Sequence, residues 1–439
     1  MRRVCGIAAL AGLLFGYDTG IISGAIFFIR SSFSLNVFTT ELVVAVVLLG
    51  AALGSICSAK LSNVLGRKTI IKIDAVIFMI STLFSALAPN LSCLILARLV
   101  VGIAIGIACY IVPLYISELA PAHLRGRLVA YNTIAVTGGI VVSYLIGYFL
   151  SPTESWRMML GIGVLPALIL WIAVGYLPES PRWLAKQGQF QEAQIMLRKM
   201  RVCEAEADEE LVAIVDSLNQ VGSSWRELLT PSIRGVVIIG IVLAIVQQVT
   251  GINTILYYAP LLFQSIGFQS VSVMMLLTLI VGLINFLMTI FVMLRVDKVG
   301  RRSLLLWGLF SMTVSLLFLS LSLKGDFQKP FIFWTMIISL FTFVAAYAGS
   351  IGCIFWIVIA EIYPLQVRGL SMGIAASANW GANLLVTMTF LSLLNALGPS
   401  NTFLCYAVCC FLSLVFCYYY LPETAKYSLE EIQSKVLKS

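Results

Sequence analysis

Apolar stretches of about 20 residues recur from one end of this chain to the other, each long enough to cross a roughly 30 Å hydrocarbon core as a helix. Such a core offers the backbone no water to bond, so a spanning segment must satisfy its own amides and carbonyls, which an α-helix does within one segment. Spans are expected near 4–29, 41–61, 70–88, 93–117, 128–150, 157–177, 235–262, 271–294, 303–323, 331–359, 370–395 and 401–420. The composition agrees, since 60% of the 439 residues are hydrophobic and only 11% are charged, far from the balance of a water-soluble domain.

A net charge of +8 raises nucleic acid as a partner, and the placement of the basic residues decides against it. With the N-terminus in the cytoplasm, that side receives most of the arginines and lysines, from Arg2, Arg3, Lys60, Arg67 and Lys68 through Arg295, Lys298, Arg301 and Arg302 to Arg368. The opposite side receives only Arg30, Arg157, Lys324 and Lys329. This asymmetry is the positive-inside pattern. It puts both termini in the cytoplasm, and it assigns the basic excess to topology and anionic membrane lipid. Short loops point to a bacterial inner membrane.

Arg2 and Arg3 ahead of an apolar run imitate a signal peptide, yet the run continues past Asp18 to about Ile29 without a small-residue cleavage site, so it reads as the first span. The ten cysteines are scattered without a C-x-x-C pair, and His123 is the single histidine. No metal and no cofactor are implied, and nothing reads as a nucleotide-binding loop.

Internal repetition organises the chain. Asn63-Val-Leu-Gly-Arg-Lys68 returns as Asp297-Lys-Val-Gly-Arg-Arg302, Glu118-Leu-Ala-Pro-Ala-His-Leu-Arg-Gly126 as Glu361-Ile-Tyr-Pro-Leu-Gln-Val-Arg-Gly369, and Tyr176-Leu-Pro-Glu-Ser180 as Tyr420-Leu-Pro-Glu-Thr424. A duplicated six-helix unit accounts for this, and gives three segments: an N-terminal bundle over 1–177, a polar cytoplasmic linker over 178–234 with amphipathic helices between Glu192 and Leu218, and a C-terminal bundle with a short tail over 235–439. The fold class expected is an all-α membrane protein of twelve transmembrane helices in two six-helix pseudo-symmetric bundles. Parallel repeats of this kind place a transport site near the midplane.

The motifs themselves resemble a family. Gly-Tyr-Asp-Thr-Gly at 16–20, the two Gly-Arg motifs at 63–68 and 297–302, Glu-x-x-Pro-x-x-x-Arg-Gly at 118–126, Pro-Glu-Ser-Pro-Arg-Trp at 178–183, Gln-Gln-x-x-Gly-Ile-Asn at 247–253 and Pro-Glu-Thr at 422–424 are similar, in order and over nearly the whole chain, to the sugar porters of the major facilitator superfamily.

Asp18 stands near the middle of the first span, where an ionised carboxylate is expensive and therefore a functional candidate by default. Arg98, at the start of the fourth span, is its natural counter-charge. A carboxylate that alternates between pairing with Arg98 and holding a proton has two charge states that bias two conformations. The resemblance implies proton coupling, because proton-coupled sugar porters carry an aspartate and an arginine at the matching places, where facilitative glucose carriers have asparagine at the first.

Solute recognition is expected from side chains with both donors and acceptors, which suit sugar hydroxyls. Gln247, Gln248, Asn253 and Tyr257 lie on the seventh span, Asn285 on the eighth, Trp356 on the tenth, and Asn379, Trp380 and Asn383 on the eleventh, with Phe15 and Thr133 from the N-terminal half. The resemblance further implies an ion-pair latch at the cytoplasmic helix ends made of Arg67, Glu118, Arg125, Glu179, Asp297, Arg301, Arg302, Glu361, Arg368 and Glu423.

Some positions depart from the family pattern. Thr133 stands where many hexose and pentose carriers have glutamine, Ala348 where glucose carriers have glutamate, and residues 349–356 lack the usual prolines before the tryptophan. The reading is a secondary active transporter, acting as a monomer, that imports a monosaccharide or polyol with protons by alternating access. The alternatives are a facilitative uniporter and a carrier-like nutrient sensor. No nucleophile, base and oxyanion-donor set converges to suggest an enzyme.

Overall fold

The computed structural model describes residues 2–121, 124–201, 203–219, 225–325, 329–364, 367–421 and 423. His123 and the residues after 423 lie outside that set. The described residues form α-helices and one short 3-10 turn, with no strand among them. The first half contains α1 (Arg2–Ser32), α2 (Val37–Leu65), α3 (Arg67–Ala86), α4 (Leu91–Leu119), α5 (Arg125–Leu150), α6 (Trp156–Gly161) and α7 (Val164–Val174). Three short helices follow, α8 (Pro181–Lys186), α9 (Phe190–Met200) and α10 (Glu204–Asn219), and then α11 (Trp225–Leu228). The second half contains α12 (Pro231–Val249), α13 (Ile252–Ser265), α14 (Val271–Val299), α15 (Arg301–Ser322), α16 (Pro330–Ala348), α17 (Ile351–Ile362) and α18 (Arg368–Tyr420).

Eleven continuous segments among the described residues are long and apolar enough to cross a membrane. The last of them, α18, holds two spans. Its 53 residues would make a straight rod of about 80 Å, more than twice the hydrocarbon thickness. Gly398, at φ 78° and ψ 162°, interrupts it immediately before Pro399, and there the chain turns back. Two other spans are broken at mid-length. Gly251, at φ 85°, separates α12 from α13, and Ser350, at φ −144° and ψ −104°, separates α16 from α17.

The chain resolves into two compact units. The first comprises residues 1–25, 46–146 and 155–222, and the second comprises 26–45, 147–154 and 223–439. In the first unit α2 and α4 touch backbone to backbone. A Cβ on Gly102 would stand 2.1 Å from the Val47 carbonyl oxygen and one on Gly106 2.0 Å from that of Ala51, the close approach expected of G-x-x-x-G. Within this unit the linker helices α8, α9 and α10 pack on one another, with Ala193, Leu197 and Ala207 fully buried. Arg201 fastens them: it chelates Glu210 at 2.5 and 2.7 Å and donates to the Leu119 carbonyl at 3.0 Å, one of the carbonyls that the end of α4 leaves without a helical partner.

Candidate transport site and its end clamps

In the first unit α1 and α4 bring Asp18 and Arg98 together as an ion pair, with Arg98 Nη1 donating to Asp18 Oδ1. Both are almost wholly buried, at 5% and 1% exposure. Arg98 Nε has no hydrogen-bond partner among the described residues. Neighbouring Tyr17 donates to the Met159 carbonyl at 2.6 Å. Beside the pair lies a cavity of about 10 Å³ whose lining includes Phe78, Thr82 and Ser85 of α3, about the room of one water molecule. Separating two buried charges is costly, so protonating Asp18 is the inexpensive way to release Arg98.

The second unit assembles the amides. Gln248 donates to Asn379 Oδ1 at 3.1 Å, Asn379 donates to Gln247 Oε1 at 2.6 Å and to the Ala244 carbonyl at 3.0 Å, and Asn253 donates to Gln248 Oε1 at 2.6 Å. Gln247 donates in turn to the Ile351 and Gly352 carbonyls at 3.3 and 3.2 Å, at the start of α17. The break at Gly251 makes this possible, because it ends α12 after the two glutamines and restarts the helix at Ile252, bringing Asn253 back over Gln248. Asn383 donates to the Tyr257 hydroxyl at 3.5 Å and accepts from Thr387 at 3.1 Å. Asn285 is buried, but no hydrogen bond joins its side chain to this network among the described residues. Trp356 is 42% exposed and meets the Phe355 ring edge-on. Trp380 on α18, and Phe15 and Thr133 in the first unit, are half-buried.

The duplicated motifs build the same clamp twice. Arg67 grips Glu118 through two hydrogen bonds of 2.8 Å, the bidentate arrangement that makes such pairs strong, and Ser180 donates to Glu118 at 2.5 Å. In the second unit Arg301 pairs with Glu361 at 3.2 Å. A second carboxylate caps the next helix. Glu179 accepts from the Arg67 amide at 2.9 Å, and Glu423 accepts from the Arg301 amide at 2.9 Å, satisfying orphan amides at the positive ends of α3 and α15. Gly66 and Gly300 stand just before these ends at φ 85° and 96°. A Cβ there would lie 2.5 Å from Glu179 and 2.8 Å from Glu423, so both positive φ and space demand glycine.

Arg302 instead donates to the Tyr418 carbonyl at 2.7 Å, and Arg368 to the Tyr363 carbonyl at 3.2 Å. The side chains of Arg125 and Asp297 lie outside the described ones.

Two buried carboxyls were not singled out from the sequence. Glu41 of α2 accepts from both the amide and the hydroxyl of Ser392 at 2.8 Å, within the second unit. Asp74 of α3 is buried, and its Oδ1 has no hydrogen-bond partner among the described residues. Each is a lone acid inside an apolar run, which is the signal that pointed to Asp18.

The fold and these constellations define a multi-pass membrane carrier of the major facilitator type, with two six-helix repeats. The chain belongs to the family described as "Sugar (and other) transporter", whose model matches residues 4–436. It is 41% identical to the putative metabolite transport protein YwtG of Bacillus subtilis over 425 residues, covering 97% of this chain and 93% of that one. It is 40% identical to the galactose-proton symporter of Escherichia coli K12, covering 99% and 94%. Among solved structures it is similar to the xylose transporter XylE of E. coli in a partially occluded inward open conformation, with a TM-score of 0.85, 31% identity, and 97% and 99% of the two chains covered.

Proposed function

We propose that the chain imports a monosaccharide or polyol by proton symport with alternating access. The observation that carries this reading is the buried Asp18–Arg98 pair, which gives a membrane-embedded group with a fixed counter-charge two charge states; the sugar-proton symporters among its relatives support it. Asp18 takes the proton and Arg98 holds the carboxylate when the proton has gone. The amides Gln247, Gln248, Asn253, Asn379 and Asn383, with Tyr257, bind solute hydroxyls by exchanging their mutual hydrogen bonds for bonds to sugar. Asn285, Trp356, Trp380, Phe15 and Thr133 complete the recognition set.

Glu118, Glu361, Glu179 and Glu423 with their arginines form clamps that are remade and released as the carrier turns over. In this reading the functional segments are the bundles over 1–177 and 235–439 joined by the linker over 178–234. The chain sits as a monomer in the bacterial inner membrane with both termini cytoplasmic, its basic ends facing anionic lipid.

One charge moved through 100 mV is worth about 2.3 kcal/mol, which allows roughly 40-fold accumulation at about 1.4 kcal/mol per tenfold. The test is uptake of labelled galactose, xylose, arabinose, glucose and inositol into proteoliposomes with and without an imposed pH gradient. Accumulation of one of them that requires the gradient is the expected result. Equilibration at a rate indifferent to the gradient would make the protein a uniporter.

A further inference from the structure

Asp74 is used by neither the ion pair nor the end clamps. It lies in the interior of α3 at 1% exposure, its Oδ1 accepts no hydrogen bond, and no cation pairs with it among the described residues. An unpaired ionised carboxyl at such a depth is expensive, and a residue of this kind is a functional group unless a partner explains it.

The helix period places Asp74 on a line of chemistry. Phe78 and Thr82, four and eight residues further on, share its face and line the cavity beside Asp18 and Arg98. Arg67, seven residues earlier, shares that face at the basic end, where it clamps Glu118. At 1.5 Å per residue, Asp74 stands about 12 Å along the axis from Thr82 and about 10 Å from Arg67. It therefore lies midway between the coupling pair and the basic end of the first unit.

The helices packed against α3 are α4, α6 and α7. On α4, Cys109 follows Arg98 by eleven residues and lies within the electrostatic reach of Asp74. No titratable side chain occurs on α7, and Arg157 of α6 is engaged with the Ala88 carbonyl and the Trp156 ring. Lys72, on α3 itself, stacks over Trp171. Among the described residues two more buried atoms, Thr82 Oγ1 on this face and Arg98 Nε across the cavity, also lack hydrogen-bond partners. Buried polar groups are almost always satisfied, so Thr82 and Arg98 at the cavity and Asp74 further along α3 each have hydrogen-bonding capacity that a solvent molecule can fill.

We propose that Asp74 is a second proton-carrying group, which passes the proton from Asp18 to the basic end of the first unit. Asp74, neutral at rest, releases its proton to water at that end. Its carboxylate, costly while unpaired, then takes up the proton that Asp18 gives up, carried across the roughly 12 Å between Thr82 and Asp74 by water admitted along this face of α3 during turnover, and the Asp18 carboxylate pairs with Arg98. One proton enters and one leaves, and Asp74 returns to its starting form. The inference rests on the proton-symport reading above.

The test uses the full chain in proteoliposomes with the same labelled panel. In Asp74→Asn, the initial rate of gradient-driven uptake should fall about 100-fold, the lower end of what a positioned proton-transfer group contributes to a rate, while counterflow exchange stays measurable. Asp74→Glu should restore much of the loss with a displaced pH profile. A merely structural Asp74 would instead change accumulation and counterflow in parallel. The unmutated protein provides a second measurement, since dicyclohexylcarbodiimide adds to protonated carboxyls in apolar surroundings: mass spectrometry should find the adduct at Asp74, forming faster at lower pH.

A gradient-driven parent whose Asp74→Asn variant keeps its rate and pH profile, or a parent that forms no Asp74 adduct at any pH, overturns this inference alone. A parent whose uptake ignores the gradient overturns the symport reading and this inference together.

Discussion

Asn253 donates to the side-chain oxygen of Gln248 at 2.6 Å across the helix break at Gly251, so the two residues that bracket the break also hold it in register. Gln248 is bonded on its other side to Asn379. Removing it leaves two amides short of a partner and, in the proposed site, the solute short of a contact. A buried polar group left unpaired costs about 1–3 kcal/mol, so Gln248→Ala should weaken solute binding roughly 5- to 150-fold. The proton dependence of the remaining flux should stay as in the parent. A competition series against one labelled sugar measures this, and unaltered affinity would remove the amide network from the binding site.

Asp18→Asn keeps the shape of the Arg98 partner and removes its ability to change charge. Gradient-driven accumulation should disappear and counterflow should remain measurable, because exchange of solute for solute moves no net proton. Undiminished accumulation in the variant would take Asp18 out of the coupling step.

Glu361→Gln removes one charge from the looser of the two clamps, where Arg301 stands at 3.2 Å. The clamp lies at the basic helix ends, far along the sequence and the helices from the amide network, so the maximal rate should change and the half-saturating solute concentration should not. Initial-rate uptake over a range of concentrations separates the two, and a pure affinity loss would count against the clamp assignment.

The α9–α10 hairpin is expected to loosen in acid. The Asp208 carboxyl is held below the ordinary carboxylate range, first by the Arg198 hydrogen bond and then by that of Gln194. A depressed carboxyl contributes stability that is present above its unfolded value of about 3.9 and lost as pH falls through the lowered folded value. Amide hydrogen exchange over residues 190–219, corrected for intrinsic rates, should therefore accelerate below about pH 4, and Asp208→Asn should abolish that acid-dependent part.

Much of this architecture is legible because hydrocarbon imposes it. Apolar length dictates spans, and the repeated Gly-Arg and Pro-Glu motifs announce two copies of one capping device, whose geometry at Gly66 with Glu179 and Gly300 with Glu423 is the same in both units. Less legible is whatever depends on rotation about a helix axis. That Gln247 meets the carbonyls at 351 and 352, or that Asn285 stays outside the network, is decided by packing across elements more than a hundred residues apart in some cases, which a periodic pattern does not encode. The break in the tenth span falls at Ser350 without a proline to mark it. In the linker, Leu197 is buried as its amphipathic face requires, but Ile195 is 54% exposed. Asp74 and Glu41 are lone acids in apolar runs as Asp18 is, but neither belongs to a recurring motif.

The reversal at Gly398 makes the last two described spans mechanically one piece. A single non-helical residue joins the halves of α18, so with no loop between them a tilt of the rod that carries Asn379 and Asn383 has to be shared by the rod that begins at Pro399.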